Sequence, residues 1–208
     1  MQKKLLLVLA IVASALVSRA QVEKGNWLLG GSFSFGTNSN TNTGGTATGS
    51  NSNLNPELGW AVAKNSVIGF RGGFSTSTSK DNTANKQTST NYSAGLFWKK
   101  FFPINEKVGW YGDLSSGYTH GQNKYVYSAA TTQKYSASGF YASISPGVYY
   151  KPSKKVFLNA GFGGLSYNHA KSDAGSLSGN TKTSTFNLNL LNYFAFGVSF
   201  VISKEHQM

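Results

Sequence analysis

The run of residues that decides the fold is the last long one in the chain, FNLNLLNYFAFGVSFVI at residues 186–202. Large apolar residues stand at nearly every second position and alternate with Asn, Ala, Gly and Ser. A period of two over this length indicates an extended strand with one apolar face and one small or polar face. Because such small and polar residues cannot form the core of a soluble protein, we expect the apolar face to contact lipid.

The same alternation recurs along the chain and predicts eight strands. The predicted strands cover residues 27–36, 54–63, 67–76, 91–101, 108–118, 135–150, 156–167 and 186–202. Tight turns alternate with long polar segments that we expect to be solvated loops, the first of them mobile. These loops are residues 38–53, 77–90, 120–134 and 168–184. This pattern predicts an eight-stranded antiparallel up-and-down transmembrane β-barrel, with both termini on the periplasmic side of the outer membrane.

Two strands are expected to be irregular. Pro146 has no backbone N–H to donate to a ladder, which predicts a bulge or local irregularity at that position. The facing of the seventh strand is ambiguous, because two sets of apolar residues compete for the lipid side. One set is Val156, Leu158 and Phe162, and the other is Phe157, Leu165 and Tyr167.

The N-terminus has the features of a signal peptide. A basic start is followed by an apolar run at residues 5–17 and by the small residues Ser18 and Ala20. The run is shorter than the roughly 20 residues of a spanning helix, so we predict that residues 1–20 are cleaved. Residues 21–208 then form the barrel. The chain has no cysteine, which excludes disulfides.

The formal net charge of +12 raises nucleic acid as a partner. The lysines are scattered at predicted strand ends and in loops, and export argues against nucleic acid. We therefore interpret them as lying beside the anionic headgroups of outer-membrane lipid. The Ser/Thr/Asn-rich loops suit hydrogen-bonding contacts with glycans, lipopolysaccharide or partner proteins. The alternative fold is a secreted lipocalin-like barrel, which needs a bulky apolar interior that the small face does not provide.

The tryptophans offer a further indication of a membrane. All four fall within a few positions of the short-turn rim or the N-terminus: Trp27, Trp60, Trp98 and Trp110. Amphipathic aromatic rings concentrate at membrane interfaces, so this placement predicts a periplasmic aromatic girdle.

Several stretches resemble the small outer-membrane β-barrel proteins of Gram-negative bacteria, most of all the outer-membrane β-barrel domain family widespread in Bacteroidota. They are the signal peptide, the eight-strand alternation, SPGVYY at residues 145–150, GFGGL at residues 161–165 and the aromatic last strand. The resemblance implies architecture, and it implies an assembly signal in the last strand for the barrel-assembly machinery. The positions concerned are Phe194, Phe196, Val198 and Phe200. Phe200 best matches the terminal aromatic residue, and residues 201–208 depart from the pattern.

Four inward-facing charges are candidates for an interior site: Glu57, Arg71, Lys99 and Asp113. Counting across the short turns places Glu57 near Arg71 and Lys99 near Asp113. Charges inside a narrow barrel must pair or meet trapped water. One interpretation is a structural plug of ion pairs. The other is a gate whose pairs exchange partners to pass small solutes.

Catalysis is not expected. His120, His169 and Asp173 could act as acid and base, as in barrel acyltransferases, but they lie in Ser/Thr/Asn-rich segments with nothing to hold them in place. Two loop histidines without a third ligand do not indicate a metal, and no cofactor motif is present. We predict a structural, adhesive or loop-mediated role, with a possible extracellular ligand at the loops. The alternative is a narrow channel or carrier for small solutes or hydrophobic molecules.

Overall fold

A computed structural model of the chain describes residues 22–42, 45–81, 85–126, 132–173 and 181–203, and the predicted signal peptide lies outside them. The described part contains eight strands. They are β1 (Trp27–Asn42), β2 (Gly45–Ala63), β3 (Ser66–Lys80), β4 (Lys86–Pro103), β5 (Val108–Val126), β6 (Thr132–Ser153), β7 (Val156–Asp173) and β8 (Thr181–Ile202).

The strands form a closed barrel in which each pairs with its sequence neighbours and β1 pairs with β8. All pairings are antiparallel, so the predicted up-and-down barrel fold is confirmed. The closing seam is short, because residues 27–32 of β1 pair with residues 197–202 of β8. Within the described segments there is no helix long and apolar enough to cross a membrane.

The prediction of long solvated loops was wrong in extent, because the strands run on through most of those segments. In the first hairpin the β1–β2 ladder continues from Phe35 and Ser52 to Asn42 and Gly45. The other three hairpins extend in the same way. A Ser/Thr/Asn composition excludes burial in lipid, but it leaves the backbone free to form a ladder, and threonine favours strands.

The three remaining connections are tight, as predicted. β2 and β3 are joined at Lys64 and Asn65, and Asn65 has a φ of 56°. This left-handed conformation is one that asparagine tolerates better than most residues, and it suits a two-residue hairpin. We call the rim with the tight turns the short-turn end and the opposite rim the long-hairpin end.

The outer surface is apolar. Large apolar side chains that are exposed alternate along every strand, including Phe33, Phe70, Leu96, Phe140, Phe186 and Phe196. In a soluble protein so many would be an aggregation hazard, whereas on a membrane barrel this face contacts lipid.

Two register shifts settle the irregular strands. The β6–β7 ladder shifts between Ile144 and Gly147, which confirms the irregularity predicted at Pro146, although the extra residue lies on β7. The β7–β8 ladder shifts between Gly161 and Gly163, and Gly163 has a φ of 87° that favours glycine.

The shifts explain why the facing of β7 could not be read from a strict alternation. On the short-turn side of these shifts, Phe157 is buried inside the barrel and Leu158 is exposed on the outer face. On the long-hairpin side of the shifts, Tyr167 is exposed on the outer face. The outward-facing residues of β7 therefore have even numbers before the shifts and odd numbers after them. Each of the two competing sets was therefore correct for one half of the strand.

The facing of β7 can be tested with alanine substitutions. Phe157→Ala should lower the free energy of unfolding by about 3 kcal/mol, because it leaves a cavity in a packed interior. Leu158→Ala, one position away, should cost clearly less, because lipid chains fill the space outside. Urea titration in lipid vesicles measures both values, and equal losses would contradict the assignment.

Candidate interior site

The four predicted interior charges lie on the adjacent strands β2, β3, β4 and β5, and their side chains meet inside the barrel. The strand register places Glu57 opposite Arg71 and Lys99 opposite Asp113. The guanidinium of Arg71 lies over the ring of Phe97 on β4, with its Cζ 5.1 Å from the ring centre, and reaches Asp113 on the strand beyond. We call these four residues the charge quartet.

Each cation of the charge quartet contacts both carboxylates. Arg71 donates from Nε to Glu57 Oε1 at 2.9 Å, and its two terminal nitrogens donate to the two oxygens of Asp113 at 3.1 and 2.6 Å. Lys99 Nζ lies 2.7 Å from Glu57 Oε2 and 3.4 Å from Asp113 Oδ2. The two-point contact between Arg71 and Asp113 fixes the relative orientation of the two side chains and also pairs their charges.

The charge quartet has no net charge and is withdrawn from water. Lys99 and Asp113 are 4% and 5% exposed, and the side chains of Glu57 and Arg71 are 12% and 19% exposed. Removing charges from water is costly, so any member left without a partner would destabilise the fold by several kcal/mol. The arrangement therefore depends on all four residues together.

Aromatic side chains pack against the charge quartet on its short-turn side. Phe101, Tyr149 and Phe157 have ring centroids 5.3 to 5.5 Å apart, and Tyr111 lies 6.1 Å from Phe101. These four rings form the aromatic cluster. Lys99 Nζ lies 5.4 Å from the centre of the Tyr111 ring, a cation–π distance that joins the two groups.

The first described residues pack beneath the aromatic cluster. Val22 is fully buried, and its backbone N–H donates to Asn65 Oδ1 at 3.1 Å. Asn65 N–H donates back to the Val22 carbonyl, and Phe101 N–H donates to the Asn65 carbonyl, both at 2.9 Å. The β2–β3 turn therefore fastens the N-terminal segment to β4.

The alternation of β5 and β6 already predicts that Tyr111 and Tyr149 face inward, but the sequence did not indicate that they pack with Phe101 and Phe157. Phe97 and Phe101 share the alternation of Lys99 on β4, so their inward facing was available from the strand's period. Phe157 could not be placed, because the β7 bulge reverses the alternation. The expectation of an inner face too small and polar to form a bulky apolar interior is thus wrong at the short-turn end, where aromatic rings fill it.

Cavities flank the charge quartet. One of about 140 Å³ separates it from a wall of small residues on β7, β8 and β1, and Asn159 lines it. A larger polar one of about 380 Å³ lies toward the long-hairpin end, and Arg71 lines both. Among the described side chains, the buried Asn159 Oδ1 and Tyr149 Oη have no hydrogen-bond partner.

The other predicted residues lie outside this interior. The four tryptophans are 40% to 46% exposed on the outer face. Trp27 stacks on Trp60 at 6.4 Å, Trp110 stacks on Phe102 at 3.9 Å, and Trp98 Nε1 donates to Ser66. Phe196, Val198 and Phe200 are also exposed on the outer face. The side chain of Phe194 is not among those that the structure describes.

The expectation that nothing holds His120 and His169 in place was wrong, because each lies beside a serine on the neighbouring strand. His120 Nδ1 lies 2.8 Å from Ser138 Oγ, and His169 Nδ1 lies 2.9 Å from Ser184 Oγ. The side chain of Asp173 lies outside the described residues. Within the described ranges no group of three or more His, Cys, Asp or Glu residues could hold a metal ion.

A closed up-and-down barrel with an apolar exterior and a charged, hydrogen-bonded interior defines an outer-membrane β-barrel protein. The chain belongs to the family described as "Outer membrane protein beta-barrel domain", whose model matches residues 5–194. The family places the protein in the bacterial outer membrane. Among curated proteins, no sequence matches the chain.

Solved structures match the chain at low sequence identity. A major outer membrane protein from Thermus thermophilus matches with a TM-score of 0.51 and 11% identity, over 86% of this chain and 99% of that one. Ail, the attachment invasion locus protein of Yersinia pestis, matches with a TM-score of 0.45 and 15% identity, over 86% and 99%. OprG from Pseudomonas aeruginosa matches with a TM-score of 0.48 and 15% identity, over 88% and 99%. At 11% identity the likeness to the Thermus thermophilus protein concerns the fold alone.

Removing one member of the charge quartet should lower the free energy of unfolding. Lys99→Met leaves two carboxylates facing one guanidinium, and we expect it to lower the free energy of unfolding by about 3 kcal/mol. Lys100→Met, which removes an equal charge from the next position on the same strand, should cost less than about 1 kcal/mol. Urea titration in lipid vesicles measures both changes.

The double variant Glu57→Gln with Lys99→Met restores charge balance and leaves Arg71 paired with Asp113. It should recover most of the stability lost in Lys99→Met. A double variant no more stable than the single one would show that packing, and not charge pairing, is what Lys99 contributes.

Glycines make room for the aromatic cluster. A Cβ at Gly147 would overlap the ring of Tyr111, whereas a Cβ at Gly112 would meet nothing within 4 Å. Gly147→Ala should therefore destabilise the barrel by about 1–3 kcal/mol through overpacking, and Gly112→Ala should not. Comparable urea midpoints for the two variants would contradict the packing described around Tyr111.

Proposed function

We propose that the protein is a non-enzymatic outer-membrane barrel whose interior is closed and whose long hairpins carry a structural, adhesive or interaction role. The observation that carries this proposal is the layered interior. The charge quartet spans one half of the barrel, and the aromatic cluster with Val22 packs beneath it.

The energetics of the interior support a plug. A solute crossing the barrel must either separate ion pairs that are largely withdrawn from water or pass through the cavity of about 140 Å³ beside them. It must then displace rings that are almost fully buried. Phe101, Tyr149 and Phe157 are at most 2% exposed. Separating the pairs or displacing the rings leaves buried charges or apolar surface without partners, at a cost of several kcal/mol.

The proposed orientation puts both termini and the short-turn end in the periplasm, with the four tryptophans as the periplasmic girdle. The long hairpins then meet outer-leaflet lipid and lipopolysaccharide, and they present a surface to an extracellular ligand. The exposed apolar positions of β8, among them Phe196, Val198 and Phe200, are proposed as the signal read by the barrel-assembly machinery. Residues 1–20 are proposed as the cleaved signal peptide.

A second candidate function is a narrow channel or carrier for small solutes or hydrophobic molecules. The observation that favours it is that Arg71 lines both interior cavities and could exchange partners between them. In that case Arg71 would act as a gate, and its loss would alter transport more than stability.

Planar-bilayer conductance distinguishes the two functions. The refolded protein lacking residues 1–20 should show no steady current, and the double variant Phe101→Ala with Phe157→Ala should open one. A heat-dependent gel shift verifies that each sample is folded. The matched control Phe140→Ala with Phe186→Ala removes two rings from the outer face and should remain non-conducting.

A steady current through the unaltered barrel that changes with Arg71→Ala would assign the channel function instead. A protein that stays soluble without detergent and shows no heat shift would refute the membrane barrel itself.

A further inference from the structure

Three of the four long hairpins place two lysines directly opposite each other across the ladder. The register pairs Lys80 with Lys86 on β3–β4, Lys124 with Lys134 on β5–β6, and Lys171 with Lys182 on β7–β8. All six side chains are exposed. We call them the lysine pairs.

The lysine pairs lie on the outward face, away from the interior. Lys124 has the same parity as the exposed Leu114 and Tyr118 on β5, and Lys134 has that of Phe140 on β6. The register between β5 and β6 is unbroken over these residues, so the facing carries through to the hairpin. The same alternation, counted from the exposed apolar side chains of β3, β4, β7 and β8, places the other two lysine pairs on the outward face.

Like charges directly opposite on a ladder repel each other and destabilise the sheet. Within the described residues no carboxylate forms an ion pair with Lys124 or Lys134, since the ion pairs found there belong to the interior quartet. Asp81, near the Lys80–Lys86 pair, accepts hydrogen bonds from the backbone and side-chain nitrogens of Asn85 at 2.9 Å each. A bound anion would turn each repulsive pair into a bridged one.

The Lys124–Lys134 pair lies in a polar cleft of about 560 Å³. Two cross-strand rows on β4, β5 and β6 line its outward side. The rows are Thr88, Lys124 and Lys134, and then Thr90, Gln122 and Ser136. Two ammonium groups beside hydroxyl and amide donors suit the several acceptor oxygens of a phosphate group.

From this cleft toward the middle of the barrel, the outer face changes from polar to apolar. Next toward the middle of the barrel come Tyr92, His120 and Ser138, and then the T-shaped ring pair of Tyr118 and Phe140 at 5.5 Å. Lys124 lies six residues beyond Tyr118, which is about 20 Å along the strand. At a strand tilt of about 40°, this separates Lys124 from Tyr118 by about 15 Å along the barrel axis, toward the long-hairpin end. Lys124 then lies in the polar zone outside the hydrocarbon layer.

We propose that the lysine pairs, and Lys124 with Lys134 in particular, bind phosphate groups of the phosphorylated glycolipid in the outer leaflet. The proposal rests on the proposed orientation, with the long hairpins outward. The outward facing favours a ligand embedded beside the barrel over a soluble one above it. A polyanionic glycolipid would join the three hairpins to the surrounding leaflet through one kind of contact.

The test compares the refolded protein with the double variant Lys124→Gln, Lys134→Gln in detergent micelles. The probes are bisphosphorylated lipid A, dephosphorylated lipid A and soluble dextran sulfate. The unaltered protein should bind bisphosphorylated lipid A about tenfold more tightly than the dephosphorylated form, and the variant should lose about tenfold of that affinity. The control Lys154→Gln, Lys155→Gln removes equal charge at the short-turn end and should bind within twofold of the unaltered protein.

A second readout needs no ligand. Because the substitutions relieve repulsion, the Lys124→Gln, Lys134→Gln variant should melt at or above the temperature of the unaltered protein, and added lipid A should raise its melting temperature less. Equal binding by variant and unaltered protein, or equal binding of both lipid A forms, would overturn the proposal. Binding of dextran sulfate without binding of lipid A would overturn it in favour of a soluble polyanion.

Conductance of the same preparation reports separately on the proposed function. A barrel that conducts and still binds lipid A through Lys124 and Lys134 would refute the closed interior alone.

Discussion

Backbone hydrogen bonding without water is the constraint on which this structure depends. In the hydrocarbon layer each N–H and C=O must find a partner within the protein, and a sheet can achieve this by closing on itself. Here the closure is made where residues 27–32 of β1 meet residues 197–202 of β8, close to the short-turn end. The Asn65 contacts with Val22 and Phe101 lie at the same end, so the closing seam and the packed interior reinforce each other.

Closing eight strands leaves an interior just wide enough for side chains, and this explains its composition. Charges there cannot be left alone, so Glu57, Arg71, Lys99 and Asp113 contact one another in a neutral group. Bulky rings fit where the facing residue is a glycine, as Tyr111 does beside Gly147. The glycines of the strands therefore set the shape of the interior as much as the side chains do.

The fold could be predicted from the sequence, because a period of two and the spacing of turns are local signals. The cross-strand neighbours Glu57 with Arg71 and Lys99 with Asp113 follow from counting across short turns. The contact between Arg71 and Asp113 could not be predicted, because it crosses β4 over the ring of Phe97 and depends on how the barrel curves. Composition also misleads, since polar segments that cannot enter lipid indicate loops, whereas here most of them are strands. The lysine pairs are visible once the register of those extended hairpins is known.

The central proposal is that the interior is open at the long-hairpin end, which faces outward in the proposed orientation, and is closed on the short-turn side of the charge quartet. Because the chain has no native cysteine, single cysteines report cleanly on access. In intact cells a membrane-impermeant thiol reagent should label Ser93→Cys, which lines the outer cavity, and should not label Ala61→Cys, which is fully buried near the short-turn end. Labelling of both at similar rates would contradict the account, because it would mean that the reagent passes the quartet and the aromatic cluster.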